Sequence, residues 1–397
     1  MINIKNAIIV APDEKGMLPV FGIPAIRRLV ILALQIGVER IHIIGNANPL
    51  RSAVSDLLSP DAFHQLENPE QLEQVLDNIA LSKQEQILVL KANHVVDQFS
   101  LRRLKDAITG PGLHFMGIKE TADTDNIYVA STAHLVPLLR AIWSSDVSIL
   151  KALEPAHRVE GVSGLPCVVE EGEDQIKIAE NKLVAALGFQ TKEQDGLLAR
   201  HLDRKISRFL SKRLARTIVV PNQITLFGAT IGLMGAYFLS RPGYWPALIG
   251  SLLFLFFAVI DGVDGEVARL KLKASDFGHY LDLTCDNIVH VVIFIALPLG
   301  LYNETNNHLF LYLLWFLIGG FGLSAISFYY NIARRSQEEL EQSPKIIKLL
   351  ALLANNDFAY LMVACALFRC LDWFLIAATV GAYVFAGTLW VIKPNKK

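Results

Sequence analysis

Apolar and polar positions change their pattern about halfway along the chain. Up to about residue 190, short β-rich runs at 5–11 (KNAIIVA), 40–45 (RIHIIG) and 87–91 (ILVLK) alternate with helical patterns such as 24–37 (PAIRRLVILALQIG). Strands alternating with helices predict an α/β fold whose parallel sheet is covered on both faces. The segment 174–188 (DQIKIAENKLVAALG) predicts an amphipathic helix closing this domain. From Pro221 onward long apolar runs take over, near 222–239, 244–262, 279–300, 308–329, 356–371 and 373–392. Several approach the ~20 residues with which a helix crosses a bilayer. The change marks two solvents: water for a domain at 1–190 and lipid for an all-α domain at 218–397.

Between the two, 195–217 (DGLLARHLDRKISRFLSKRLART) repeats Leu198, Leu202, Ile206, Phe209, Leu210 and Leu214 at helical spacing. Arg200, Arg204, Lys205, Arg208, Lys212, Arg213 and Arg216 lie between them. An apolar stripe backed by a basic face predicts a helix lying in the membrane interface, in contact with lipid headgroups. An ordinary surface helix of the soluble domain is the alternative; the position just before the first apolar run favours the interface. Lys and Arg also gather in 263–278, 330–350 and the tail, whereas 301–307 (LYNETNN) has neither. Positive charge collects on the cytoplasmic side, so this predicts six spans in the cytoplasmic membrane with both termini inside. Gly319, Gly320 and Gly322 fall within the fourth run and predict close helix packing or a homodimer contact.

Length and composition narrow the picture further. A chain of 397 residues can bury two cores, and its net charge of -1 excludes a globally basic nucleic-acid binder. Cys167, Cys285, Cys365 and Cys370 form no CxxC pair and have no His at ligand spacing. They predict neither a zinc site nor a disulfide framework, which suits a reducing compartment. The apolar run in MINIKNAIIVAPDEKG is too short for a leader or a span, so the front domain is expected to stay in the cytoplasm.

The chemistry-bearing stretch joins the second and third apolar runs: Asp261-Gly-Val-Asp264-Gly265-Glu-Val-Ala268-Arg269, then Gly278, Asp282 and Asp286. On a helix Asp261, Asp264 and Ala268 share a face, and Gly278, Asp282 and Asp286 share a face of the next. Two adjacent antiparallel helices would aim four carboxylates at one point. Such acids repel one another at a membrane boundary unless hard divalent cations neutralise them. Oxygen-only ligands select Mg2+ or Mn2+, expected here as two ions. The alternative, simple pairing with Arg269, Lys271 and Lys273, would not call for small residues at fixed spacing between the acids.

This string resembles the complete signature of the CDP-alcohol phosphotransferase family. The resemblance covers roughly 195–392, including Val220-Pro221-Asn222-Gln223-Ile224-Thr225, similar to the opening of that family's first span. It implies six transmembrane helices, divalent metal, and transfer of a substituted phosphate from a CDP-alcohol to an acceptor hydroxyl with release of CMP. Asp261, Asp264 and Asp282 would bind metal, and Asp286 would be the general base with a share in the second ion. Gly265, Ala268, Gly278 and Asn222 would make room for or touch the nucleotide, and Arg269 would contact its phosphates or brace the carboxylates. For Pro221 a structural role at the helix start is as good a reading. Arg334 and Arg335 could help to hold an anionic acceptor, a lipid or polyol phosphate, although a topology signal explains them as well. His279 and His290 read as packing or interfacial residues.

Residues 7–46 resemble the start of a sugar-phosphate nucleotidyltransferase, a GT-A or Rossmann-like α/β fold. Lys15 matches that family's phosphate-contacting lysine. The Gly-rich loop is cut down to APDE, Asn93 stands at the metal-binding aspartate, and a second acid survives only as Glu170 or Glu171. The domain is therefore expected to be a degenerate scaffold. Two other readings remain at this point: a bifunctional protein whose front half makes the CDP-alcohol from CTP, and a transporter or nucleotide-responsive membrane protein.

Overall fold

The structure is a computed structural model and describes residues 4–45, 47–66, 68–79, 81, 85–108, 110, 112–117, 126–153, 157–190, 203–330 and 357–391. The chain divides into an N-terminal unit, residues 1–190 together with 270–272, and a C-terminal unit, residues 191–269 and 273–397.

The N-terminal unit is an α/β fold around a seven-stranded sheet. Its strands are β1 (Asn6–Ala11), β2 (Arg40–Gly45), β3 (Phe63–Gln65), β4 (Gln86–Lys91), β5 (Leu113–Gly117), β6 (Ile127–Ser131) and β7 (His157–Glu160). They lie in the order β7-β5-β6-β4-β1-β2-β3. Strand β1 is buried along its whole length. Its alternate residues feed opposite faces: Ala7, Ile9 and Ala11 pack with Ile26, Leu29 and Leu101, while Ile8 and Val10 pack with Leu138 and Ile142. Helices α1 (Ala25–Gln35), α2 (Ala47–Val54), α3 (Leu72–Ile79), α4 (Gln98–Ala107), α5 (Thr132–Ser144), α6 (Val147–Ala152) and α7 (Glu173–Gln190) complete the unit. The three runs read as strands from the sequence are β1, β2 and β4, with β1 parallel to both neighbours.

The expectation of a wholly parallel sheet is corrected: β6 runs antiparallel to both β4 and β5. The pattern of side chains along a strand reports burial, not direction. Direction follows from the connection, and the nine residues between Gly117 and Ile127 are fewer than the dozen or more that a parallel crossover needs.

The C-terminal unit is helical: α8 (Arg204–Ala215), α9 (Pro221–Leu239), α10 (Tyr244–Leu270), α11 (Asp276–Thr305), α12 (Leu309–Phe328), α13 (Asp357–Leu367) and α14 (Leu371–Val391). Four of them, α10, α11, α12 and α14, are long and apolar enough to cross a bilayer. The first turn of α9 is polar (Pro221-Asn222-Gln223), and α13 has 11 described residues, about 16 Å of helix. Phe227, Trp315, Phe316 and Trp373 are each more than half exposed, a surface suited to lipid. Small residues set the helix contacts. A Cβ on Gly250 would stand 2.7 Å from the Gly235 carbonyl, so α9 and α10 cross backbone to backbone there. Gly319 and Gly320 face Tyr383 and Ala382 of α14, where Ser324 also donates to the Ala382 carbonyl (2.8 Å). These two glycines thus serve packing within one chain, whereas a Cβ on Gly322 would meet nothing within 4 Å.

Candidate active site

The last turns of α10 and the first turns of α11 face one another beside the start of α9. An open cavity of about 210 Å3 lies between them. Its walls include Asn222, Asp264, Gly265, Ala268, Arg269, Gly278 and Asp282. Thr225, Lys273, Ser275 and His279 also line it. Asp261 and Asp286 do not. They stand one helical turn farther from the cavity mouth, on the same faces as Asp264 and Asp282, because antiparallel helices place i−3 on one opposite i+4 on the other. Asp261 lies within electrostatic reach of Asp264, Asp282 and Asp286.

Local sequence explains how each wall is built. Ser275 caps α11, its hydroxyl accepting from the Gly278 N–H at 3.1 Å. A Cβ at Gly278 would come within 3.1 Å of the Asn222 carboxamide oxygen and 3.2 Å of the Ser275 hydroxyl, so a larger residue there would press on both side chains. A Cβ at Gly265 would meet only the Arg269 guanidinium, at 3.5 Å. Asp264 is buried at 4% exposure; the Thr225 hydroxyl and the Gly265 N–H donate to it. Thr225 therefore ties α9 to α10 at the cavity floor.

Among the described residues, no three His, Cys, Asp or Glu side chains stand together as a closed metal-binding set. The donor set still suits hard divalent cations: four carboxylates and no sulfur, with Oδ1 of Asp282 buried and lacking a hydrogen-bond donor among the described residues. A buried carboxylate oxygen without a donor is costly, and a cation would relieve that cost.

Two residues near this group, Glu266 and His290, make contacts to which the sequence reading gave no role in the site. Glu266, 1% exposed, accepts from the Arg204 guanidinium (3.0 Å), the Ser207 hydroxyl (3.0 Å) and the Ser211 hydroxyl (2.7 Å), all on α8. The basic helix is thus docked on α10 through its small polar residues, while Ile206 and Phe209 of its apolar stripe are exposed. Residues 195–202 of the expected interfacial segment lie outside the described residues, as do Arg334 and Arg335. The second residue is His290, whose Nδ1 is 2.9 Å from Oδ1 of Asp286. The i, i+4 spacing from Asp286 was the available signal.

In the N-terminal unit the Lys15 ammonium is paired with the Glu170 carboxylate, which holds its pKa above the ordinary lysine value. Asn93 is buried, and its Nδ2 donates to the Val169 carbonyl at 3.1 Å.

Comparison with known proteins places residues 218–386 in a match to the family described as CDP-alcohol phosphatidyltransferase. The chain is 29% identical over 207 residues to a bifunctional IPC transferase and DIPP synthase from Aquifex aeolicus, covering 51% of this chain and 45% of that protein. It is 31% identical over 164 residues to the protein of the same name from Thermococcus kodakarensis, 41% of this chain and 36% of that one. It is 33% identical over 104 residues to a phosphatidylinositol phosphate synthase from Mycobacteroides abscessus, 26% of this chain and 46% of that one. The chain thus spans about a third to about half the length of these curated relatives.

Proposed function

We propose, from the match of residues 218–386 of this chain to the CDP-alcohol phosphatidyltransferase family, that the protein is a membrane enzyme of phospholipid or polar-headgroup synthesis. It transfers the substituted phosphate of a CDP-alcohol to an acceptor hydroxyl and releases CMP. The observation that carries this reading is the cavity between α10 and α11, where Asp264 and Asp282 line one open space together with Gly265, Ala268, Gly278, Arg269 and Asn222.

In this proposal Asp261, Asp264 and Asp282 would hold the cations, with Asp286 contributing to the second. Bound Mg2+ or Mn2+ would neutralise the pyrophosphate and its leaving group. Gly278 and Gly265 admit the nucleotide, Asn222 borders it, and Arg269 offers its guanidinium to the phosphates. Asp286 takes the proton of the acceptor hydroxyl as the new P–O bond forms and the bond to CMP breaks. Arg334 and Arg335 remain the proposed contacts for an anionic acceptor. The name of one relative contains an inositol phosphate group, which makes inositol phosphate compounds the first substrates to try.

The remaining architecture belongs to the same proposal. Six helices, α9 to α14, span the cytoplasmic membrane with both termini inside, α8 lies at the interface, and two copies associate. Residues 1–190 are a nucleotidyltransferase-like scaffold. The Lys15–Glu170 pair and the hydrogen bond of Asn93 to Val169 favour that over a second activity, since the residues needed for a metal-bound triphosphate are engaged elsewhere.

The test incubates the purified full chain with several CDP-alcohols, candidate acceptors and Mg2+, and measures CMP and lipid products by mass spectrometry. CMP formation that requires both acceptor and divalent metal is expected. Absence of CMP with every donor would overturn the proposal.

A further inference from the structure

Within α11, one turn beyond Asp286, the ring of His290 is enclosed by three phenylalanines. Its centroid lies 5.5 Å from that of Phe254, 6.1 Å from Phe257 and 5.7 Å from Phe358, with edge-on geometry to the first two. Phe254 is fully buried, so the ring has little freedom to turn. Its Nδ1 is 2.8 Å from the backbone carbonyl of Asp286 and 2.9 Å from the carboxylate Oδ1 of the same residue. A carbonyl oxygen can only accept, so Nδ1 carries the proton in either charge state. The hydrogen bond goes to the carbonyl, and the carboxylate Oδ1, which has no hydrogen-bond partner of its own among the described residues, lies beside the same N–H edge within electrostatic reach.

From this geometry we infer that His290 is a positioning residue for the reaction, holding the Asp286 carboxylate in the orientation in which it serves the site. The inference rests on the role proposed above for Asp286. An aspartate on a helix has several side-chain rotamers, and repulsion from Asp261 and Asp282 favours those that swing it away from the other acids. The polarised N–H of a caged imidazole offsets that repulsion at one place only. The phenylalanines supply the rigidity and the nitrogen supplies the attraction. A simple packing role would need the ring's bulk and not its donor.

Two variants separate bulk from donor. His290→Leu keeps an apolar side chain of similar size in the cage and removes the N–H, whereas His290→Asn places an amide N–H where Nδ1 stood. Loss of a side chain that orients a metal ligand typically costs about 10- to 100-fold in metal affinity or activity. His290→Leu is accordingly expected to lower kcat at least about tenfold, with the KM for the CDP-alcohol unchanged within about twofold. The same variant is expected to weaken Mn2+ binding, read by electron paramagnetic resonance on the detergent-solubilised full chain, by about tenfold. His290→Asn should recover most of both. If the two variants match each other in both readouts, whether both intact or both impaired, the donor is irrelevant and the inference falls. A wild-type protein that binds Mn2+ but releases no CMP would overturn the proposed function and leave the Mn2+ arm to judge His290. A wild type that binds no Mn2+ overturns both.

Discussion

Arg204 and Glu266 meet at 3.0 Å, with Glu266 at 1% and Arg204 at 18% side-chain exposure, and this pair joins the basic helix α8 to the helix that carries Asp261 and Asp264. The carboxylate collects two serine hydroxyls as well, and these three donors lie on one face of α8. Removing one partner of such a pair leaves a buried charge uncompensated. Glu266→Ala is expected to destabilise the C-terminal unit by about 3 kcal/mol, with Glu266→Gln milder because it still accepts from the serines. Thermal unfolding in detergent checks the order; equal stability of Glu266→Ala and wild type would refute it.

Asp286→Asn tests the proposed base. The amide is nearly isosteric but cannot take a proton, so turnover should drop by at least about 100-fold while CDP-alcohol binding changes little. Rapid-quench measurement of CMP release together with equilibrium binding of the donor distinguishes the two effects. Full activity in this variant would remove the base assignment.

The two cavity glycines should respond unequally. In Gly278→Ala the new methyl presses on Asn222 and Ser275 at 3.1 and 3.2 Å, contacts that the capping geometry of α11 resists. In Gly265→Ala it meets the end of a flexible arginine at 3.5 Å. The expected result is a KM for the CDP-alcohol raised about tenfold or more by the first change, equivalent to about 1.4 kcal/mol, and by less than about threefold in the second. Steady-state kinetics with varied donor reads this directly, and the reverse order would show that the nucleotide does not pass Gly278.

A pH response is expected in the N-terminal unit. His42 on β2 and His64 on β3 stand with ring nitrogens 3.1 Å apart. Burial, followed by the neighbouring His64 and Arg40, pushes His42 down to about 4, and burial lowers His64 as well. The folded state then binds fewer protons than the unfolded chain, whose histidines titrate near 6.5. The stability from these groups is present in full above about pH 6.5 and is lost as the pH falls toward about 4. Amide hydrogen exchange in 40–45 and 63–65, followed from pH 7.5 to 4.5 and corrected for intrinsic rates, should show protection falling in that window. His64→Gln should flatten the fall, and an unchanged slope would assign it to other groups.

If residues 1–190 serve as a scaffold, the full chain should release no pyrophosphate from CTP with Mg2+ and a panel of alcohol phosphates. Pyrophosphate release that Lys15→Ala abolishes would instead establish a second active site.

Periodicity was enough to read the strands β1, β2 and β4, the helical nature of the second half, and the shared faces that put Asp264, Ala268, Gly278 and Asp282 around one cavity, because spacing along a regular helix determines which side chains are neighbours. What lay beyond one element's own period needed the tertiary structure. The antiparallel direction of β6 depends on a connection and not on a pattern. The bond of Glu266 to Arg204, Ser207 and Ser211 joins residues about 60 positions apart, and nothing in DGVDGEVAR distinguishes a glutamate that docks a neighbouring helix from one that faces solvent. His290 was within reach of Asp286 by spacing alone, but the three phenylalanines that hold its ring come from two other helices. Local sequence specifies which groups a helix presents, whereas packing between helices decides which of them are held still.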